Sequence, residues 1–361
     1  MSTGTARSPG DRFRDVSLYA VDETVCAIDV SDNTNLWGAP PAALRTLRQL
    51  EGSALARYPE VYTSTLKAEL GRYVGFDERC IVTGSGSDDV LDCAFRAFGV
   101  RTGEVAIPSP TFSAVPSLAT VNDLRPVAVP LTSDGDVDVE RTLAVGARII
   151  YLCSPNNPTG ALLSRDRVTA LVENTSGVVI IDEAYGEFTG STLTDFARTH
   201  DNVFVTRTFS KAFGLAGLRV GYGLGAPALV AGVEKARGPY KVSVAAERVA
   251  VAVLREDLAW VRARVDDVVA NRESFAQGLD QIGVSAMRSR ANFVLVPVLD
   301  AQRVAARMRT RGVAVRAFSN LSSAAAALAA TNGSALRITI GPQDVMTRVL
   351  DTLDEAIRAC A

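Results

Sequence analysis

Short apolar runs alternate with segments of helical spacing through the middle of the chain. The runs at Cys80 to Val82, Val105 to Ile107, Pro126 to Val129, Ile149 to Cys153, Val178 to Ile181 and Val203 to Val205 have the length of strands. Most are separated by stretches of helical period, such as Asp89 to Phe98 and Ser164 to Val172. Strands alternating with helices predict an α/β layer with a mainly parallel sheet, whose ligand lies at the carboxyl ends of the strands. Ahead of this layer, spacing at Leu44, Leu47 and Leu50 and over Ser64 to Tyr73 predicts two helices, the second after an extended Arg57-Tyr58-Pro59. Beyond Gly223 the pattern changes to long helical segments, Ala226 to Arg237 and Val244 to Leu279. Strands near Phe293 to Val298 and Leu336 to Ile340 follow, with helices near Ala301 to Arg311 and Val345 to Ala359.

This division predicts a polar tail and packing arm over residues 1–35, a large domain over 36–243 and a small C-terminal α/β domain over 244–361. Residues 1 to about 15 carry little to bury and are expected to be mobile. The alanine-rich stretch Ser322 to Ala330 reads as either a helix or a mobile flap.

Composition narrows the function. The net charge of −2, with 22% charged residues, offers no footprint for nucleic acid. Five cysteines, at positions 26, 80, 93, 153 and 360, form no C-x-x-C pair, and His200 is the sole histidine, so no metal site is expected. No run approaches the roughly 18 apolar residues of a membrane span. Scattered thiols without a secretory leader lead to the expectation of a cytoplasmic protein.

Basic charge is carried almost wholly by arginine; the lysines are Lys67, Lys211, Lys235 and Lys241. Lys211 stands within TRTFSKAFGLAGLRVGY, among small, apolar and hydroxyl residues. A lysine, unlike an arginine, can lose its proton and attack a carbonyl carbon, and desolvation or a nearby cation such as Arg219 favours that. Thr208 and Ser210 offer hydroxyls to an anion. By itself the residue also reads as a solvated loop lysine.

Four further segments carry candidate chemistry. Gly84-Ser85-Gly86-Ser87-Asp88-Asp89 ends a strand and opens a helix, an arrangement that binds phosphate or merely caps the helix. Phe112, after the next strand, can stack on a flat ring or fill a core. Ser154-Pro155-Asn156-Asn157-Pro158-Thr159-Gly160 is a turn whose prolines fix the direction of an amide. In VVIIDEAY, Asp182 ends a buried run, where a carboxylate is costly unless it meets a cation.

Together these residues resemble the class I/II aminotransferases that use pyridoxal 5′-phosphate (PLP), specifically the histidinol-phosphate aminotransferase branch, through SKAFGLAGLRVG and from about Asp32 to the C-terminus. The resemblance implies a fold type I transferase: a large domain with a mainly parallel seven-stranded sheet between helices, plus a smaller α/β domain. It also implies that Lys211 forms a Schiff base with PLP, and that Ser87, Asp88, Thr208, Ser210 and Arg219 receive the phosphate. Phe112 then stacks on the ring, Asn157 and Tyr185 donate to its phenolic oxygen, and Asp182 holds its nitrogen. Arg337 corresponds to the residue that grips the substrate carboxylate, with Asn292 and Arg316 at weaker pocket positions. Tyr58 corresponds to a tyrosine reaching the phosphate from the neighbouring subunit, which implies a homodimer. The implied reaction moves an amino group from an amino acid or amino-alcohol phosphate to a 2-oxo acid.

The chain departs from the branch near the expected substrate tail. The branch's P-Y-x-P-G-like stretch is replaced around Tyr19, and its S-x-N-E-N-P-x-G stretch reads Ser31-Asp32-Asn33-Thr34-Asn35-Leu36-Trp37-Gly38. Lys241 replaces an amide in P-Y-N-x-N and could bind an anionic tail or face solvent. The alternatives are histidinol-phosphate transamination proper, decarboxylation of an amino-acid phosphate, and a non-catalytic PLP-binding regulator.

Overall fold

The computed structural model describes residue 16 and residues 25–99, 103–321 and 325–360. Tyr19 and the expected mobile tail lie outside the described residues. The arm enters through β1 (Ile28–Asp29), and three helices follow: α1 (Pro41–Arg48), α2 (Gly52–Leu55) and α3 (Ser64–Val74). Strand and helix then alternate as β2 (Ile81–Gly84), α4 (Ser87–Phe98), β3 (Glu104–Ser109), α5 (Val115–Val121), β4 (Arg125–Pro130) and α6 (Val139–Ala144). The series continues through β5 (Ile149–Cys153), α7 (Arg165–Asn174), β6 (Val178–Asp182), α8 (Phe196–Thr199), β7 (Val203–Thr208) and β8 (Gly221–Gly225). Three helices come next, α9 (Pro227–Ala236), α10 (Val244–Glu256) and α11 (Leu258–Gln281). The C-terminal part holds β9 (Phe293–Pro297), α12 (Ala301–Thr310), β10 (Val313–Ala314), β11 (Arg316–Phe318), α13 (Ala326–Ala330), β12 (Ala335–Thr339) and α14 (Gln343–Arg358).

Seven strands form the main sheet in the order β2-β8-β7-β6-β5-β3-β4, and all neighbours are parallel except those of β8. Every residue of β5 and β6 is buried, as a parallel sheet covered on both faces requires. Alternate side chains enter opposite layers. Val178 and Ile180 pack with α4, α5 and α9, whereas Val179 and Ile181 pack with α7, α8, α10 and α11. Strand β8, with the sequence GYGLG, is the member that apolar run length misses. Its glycines permit close packing: a Cβ on Gly223 would lie 2.3 Å from the Phe204 ring.

The continuous helical spacing of Val244 to Leu279 is broken at Asp257, whose carboxylate accepts the Ala42 N–H at 2.6 Å. Helix α10 packs against α1 and α3. Of the stretch that reads as helix or flap, residues 325–330 are described, and 326–330 form α13.

Strands β11, β12 and β9 form an antiparallel sheet in which Arg316 stands opposite Arg337. The arm crosses to this part: β1 pairs with β10, and Thr339 N–H donates to the Val30 carbonyl. Among the described residues no helix is long and apolar enough to cross a membrane.

Beneath the carboxyl ends of β6 and β7, Arg207 joins Glu183 through Nη2 at 2.7 Å and Glu187 through Nη1 at 3.2 Å, all three side chains being buried. Removing one partner of such a group leaves charge stranded away from water. Arg207→Met is therefore expected to lower unfolding free energy by roughly 3–5 kcal/mol in urea denaturation, and an unchanged midpoint would show the pair to be dispensable.

Candidate active site

A cavity of about 370 Å³ opens where the main sheet's strands end, against β11 and β12. Ser87, Asp88, Phe112, Asn157, Asp182, Tyr185, Thr208, Ser210, Lys211 and Arg219 line it, together with Arg316, Phe318 and Arg337 from the C-terminal sheet. Residues separated by 250 positions in sequence thus meet at one place.

One end is built for an anion. Helix α4 begins after Gly86, whose φ of +85° suits glycine, and no side chain caps its first turn. The backbone N–H groups there remain available, and the helix dipole adds positive potential. Gly86 and Gly221 make the approach possible: a Cβ on the former would lie 2.5 Å from Arg219 Nη2, and one on the latter 2.3 Å from Ser87 N. Arg219, itself at φ +53°, donates through Nη1 to Ser210 Oγ at 3.3 Å, and Thr208 Oγ1 donates to the same oxygen at 2.9 Å. Asp88 lies 3.5 Å from Arg219 Nη2, and both side chains are about half exposed.

At the far end Asp182 closes β6, 3% exposed. Its Oδ2 accepts from the Tyr151 hydroxyl at 2.8 Å, and its Oδ1 from Ala184 N at 3.1 Å and Thr206 Oγ1 at 3.3 Å. These donors are neutral, and no ion pair forms with Asp182 among the described residues. Burial pushes its carboxyl up to about 6 against the pull of the Tyr151 hydrogen bond.

Lys211 lines the same cavity. Its Nζ donates to the Asp32 carbonyl at 3.1 Å and lies 5.8 Å from the Tyr185 ring centroid. Burial first, then the Arg337 charge, lowers its pKa to about 8, while Asp88 and Asp32 pull the other way. Such an amine carries a substantial neutral fraction at physiological pH, as a nucleophile or proton acceptor requires.

Arg337, 8% exposed, donates through Nη1 to Asn157 Oδ1 at 2.7 Å and through Nη2 to the Ser31 carbonyl at 2.6 Å. With its oxygen so engaged, the Asn157 amide presents Nδ2 as its donor. Phe293 and Phe318 flank the guanidinium, with ring centroids 5.6 and 5.8 Å away.

Three expected site residues stand elsewhere. Asn292 is buried beside the cavity and donates to the Asn33 carbonyl at 3.0 Å. Tyr58 is 83% exposed and stacks on Tyr240 at 4.7 Å. Lys241 pairs with Asp89 at 2.7 Å and does not line the cavity, so this ion pair draws it away from the expected substrate tail. Trp37 packs on the core rather than on the cavity. Sequence reasoning missed Asn33, Tyr151 and Thr206. The signal for Asn33 is its stretch, Ser31 to Gly38, which departs from the branch's pattern.

The residues fit PLP. A buried carboxylate without a cation suits a ring nitrogen, an uncapped helix terminus with Arg219 suits a phosphate, and a lysine of lowered pKa lines the same cavity. The model for class I and II aminotransferases matches residues 26–353. Among similar proteins, the histidinol-phosphate aminotransferase of Roseiflexus castenholzii is 36% identical over 342 residues, covering 91% of this chain and 89% of its own. That of Desulfitobacterium hafniense is 33% identical over 344 residues, covering 92% and 91%. The crystal structure of the Sinorhizobium meliloti histidinol-phosphate aminotransferase in complex with PLP superposes with a TM-score of 0.88 at 25% identity, covering both chains completely. The chain belongs to the class I and II aminotransferases, and its cofactor is pyridoxal 5′-phosphate.

Proposed function

We propose that Lys211 carries the cofactor and then the substrate proton, and that the amino donor bears an anionic group held by Arg337 and Arg316. The observation that carries this reading is the setting of Lys211, an amine of lowered pKa that lines one cavity with the Asp182 carboxylate and the Arg337 guanidinium. Bound there, PLP supplies an electron sink for negative charge developing at the substrate's α-carbon. Asp182 holds a proton on the ring nitrogen, and that cation offsets the cost of burying the carboxylate. Tyr185 and Asn157 donate to the ring oxygen, and Phe112 covers a face of the ring. The N–H groups of Ser87 and Asp88, with Thr208, Ser210 and Arg219, hold the phosphate. Lys211 would hold the cofactor and, as a free amine, would take the proton from the substrate's α-carbon.

The substrates are an amino acid type of donor and a 2-oxo acid. Arg337 is preset by Asn157 and Ser31 for an anionic group, the donor's phosphate or the carboxylate of the 2-oxo acid, so little side-chain freedom is lost on binding. Arg316 stands directly across the strand pair and lines the same cavity, which supports a second anionic contact. Histidinol phosphate is the donor this reading puts first, on that pair of arginines and on the names of the similar proteins. Asn292 supports the pocket through Asn33 rather than by touching substrate.

We further propose a division into a large domain over 36–243 and a small one over 244–361, and a homodimer in which exposed Tyr58 reaches the neighbouring phosphate site. The five free, scattered thiols favour the cytoplasm.

Mixing the PLP-loaded protein with histidinol phosphate, without acceptor, is expected to convert the cofactor's visible band to the aminated form, and 2-oxoglutarate to restore it. Conversion by an aromatic or aliphatic amino acid alone would reassign the donor, and carbon dioxide release from an amino-acid phosphate such as phosphothreonine, without conversion, would replace transamination by decarboxylation. Mixed inactive Tyr58→Ala and Lys211→Ala chains are expected to regain activity, because one of the two hybrid sites is intact; no recovery under demonstrated subunit exchange would remove the shared site.

A further inference from the structure

We infer that Asn33 is a positioning residue that makes the Tyr185 hydroxyl an obligate donor into the cofactor cavity. Asn33 is 1% exposed at φ +55°, a conformation that asparagine tolerates better than most residues. Its backbone N–H donates to Thr339 Oγ1 at 2.9 Å. That hydroxyl donates its own proton to Asn33 Oδ1 at 3.2 Å. The amide oxygen is thereby fixed toward Thr339, and Nδ2 donates to the Tyr185 oxygen at 2.9 Å. No described residue accepts the Tyr185 proton, and the side left to it is the cavity it lines. The relay starts at a backbone N–H and runs through Thr339 and the Asn33 amide to the Tyr185 hydroxyl.

The relay spans the molecule. Thr339 lies two residues beyond Arg337 on β12 and so shares its face, Asn33 belongs to the arm, and Tyr185 follows β6. Asn292 adds a fourth tie at the Asn33 carbonyl. The groups facing the Tyr185 hydroxyl electrostatically are Arg337, Cys153 and Asp182, with Lys211 over the ring.

This inference rests on the reading that Tyr185 donates to the cofactor's ring oxygen. That hydrogen bond favours the oxygen's anionic form and so lowers the pKa at which the bound cofactor's visible band changes. Asn33→Asp keeps the shape and the Thr339 contact but replaces the donor by an acceptor, so Tyr185 turns its proton away from the cavity. The spectroscopic pKa is expected to rise by about one unit or more. Because the new carboxylate acts on Lys211 by charge alone, the same change is made in Tyr185→Phe, where the rise is expected to fall to less than half. Thr339→Val, which removes the polarity without adding charge, is expected to raise the pKa, and Thr339→Ser to restore it. Thermal unfolding of the cofactor-free variants reports folding separately. Equal rises with and without the Tyr185 hydroxyl, or no rise in folded Asn33→Asp and Thr339→Val, overturn the relay. A Tyr185→Phe change that itself leaves the pKa unmoved would instead overturn the underlying placement of Tyr185.

Discussion

The Asp182 carboxylate is the constraint on which the site depends. It ends a strand buried on both faces, and Tyr151, Thr206 and the Ala184 N–H orient it without neutralising it. A carboxyl raised from 3.8 to about 6 costs on the order of 3 kcal/mol when ionised in the folded protein. Because the folded chain binds that proton more tightly than the unfolded one, this cost grows as pH rises through the interval and is fully present above about 6. In the proposed placement of the cofactor, a ring cation would meet that demand. The same charge does chemical service, since a protonated ring draws electrons from the substrate carbon. Stability given up in the empty protein is thus returned where the cofactor reacts.

The arm is the second element that makes one site from two parts of the chain. Ser31 accepts from Arg337, Asp32 from Lys211, and Asn33 donates to Tyr185. Three successive residues therefore touch the groups assigned to substrate carboxylate, cofactor linkage and ring oxygen. Pairing of β1 with β10 and the Val30 bond to Thr339 hold that segment in register. Burial sharpens each contact, because hydrogen bonds and charges act more strongly where water is excluded.

The strands that read clearly in the sequence were those whose apolar runs coincide with burial on both faces, as at Ile149–Cys153 and Val178–Asp182. Strand β8 escaped because GYGLG contributes tight backbone packing rather than apolar bulk. The division between α10 and α11 escaped because Asp257 acts through Ala42, 215 positions away. The site followed the same rule. Residues placed by local motifs at strand ends, such as Asn157, Asp182 and Lys211, were legible and line one cavity. Asn33, Tyr151 and Thr206 act through partners distant in sequence, so no spacing announces them. Lys241 shows the converse: its charge was legible, but its destination was fixed by Asp89 on α4.

The most direct test of this electrostatic account is the nitrogen NMR shift of bound PLP labelled with nitrogen-15 in its ring, recorded at pH 7.5. The account expects the shift of a protonated ring nitrogen in the unmodified protein and that of a neutral pyridine when Asp182 is replaced by alanine. A neutral pyridine shift in the unmodified, fully loaded protein would contradict it.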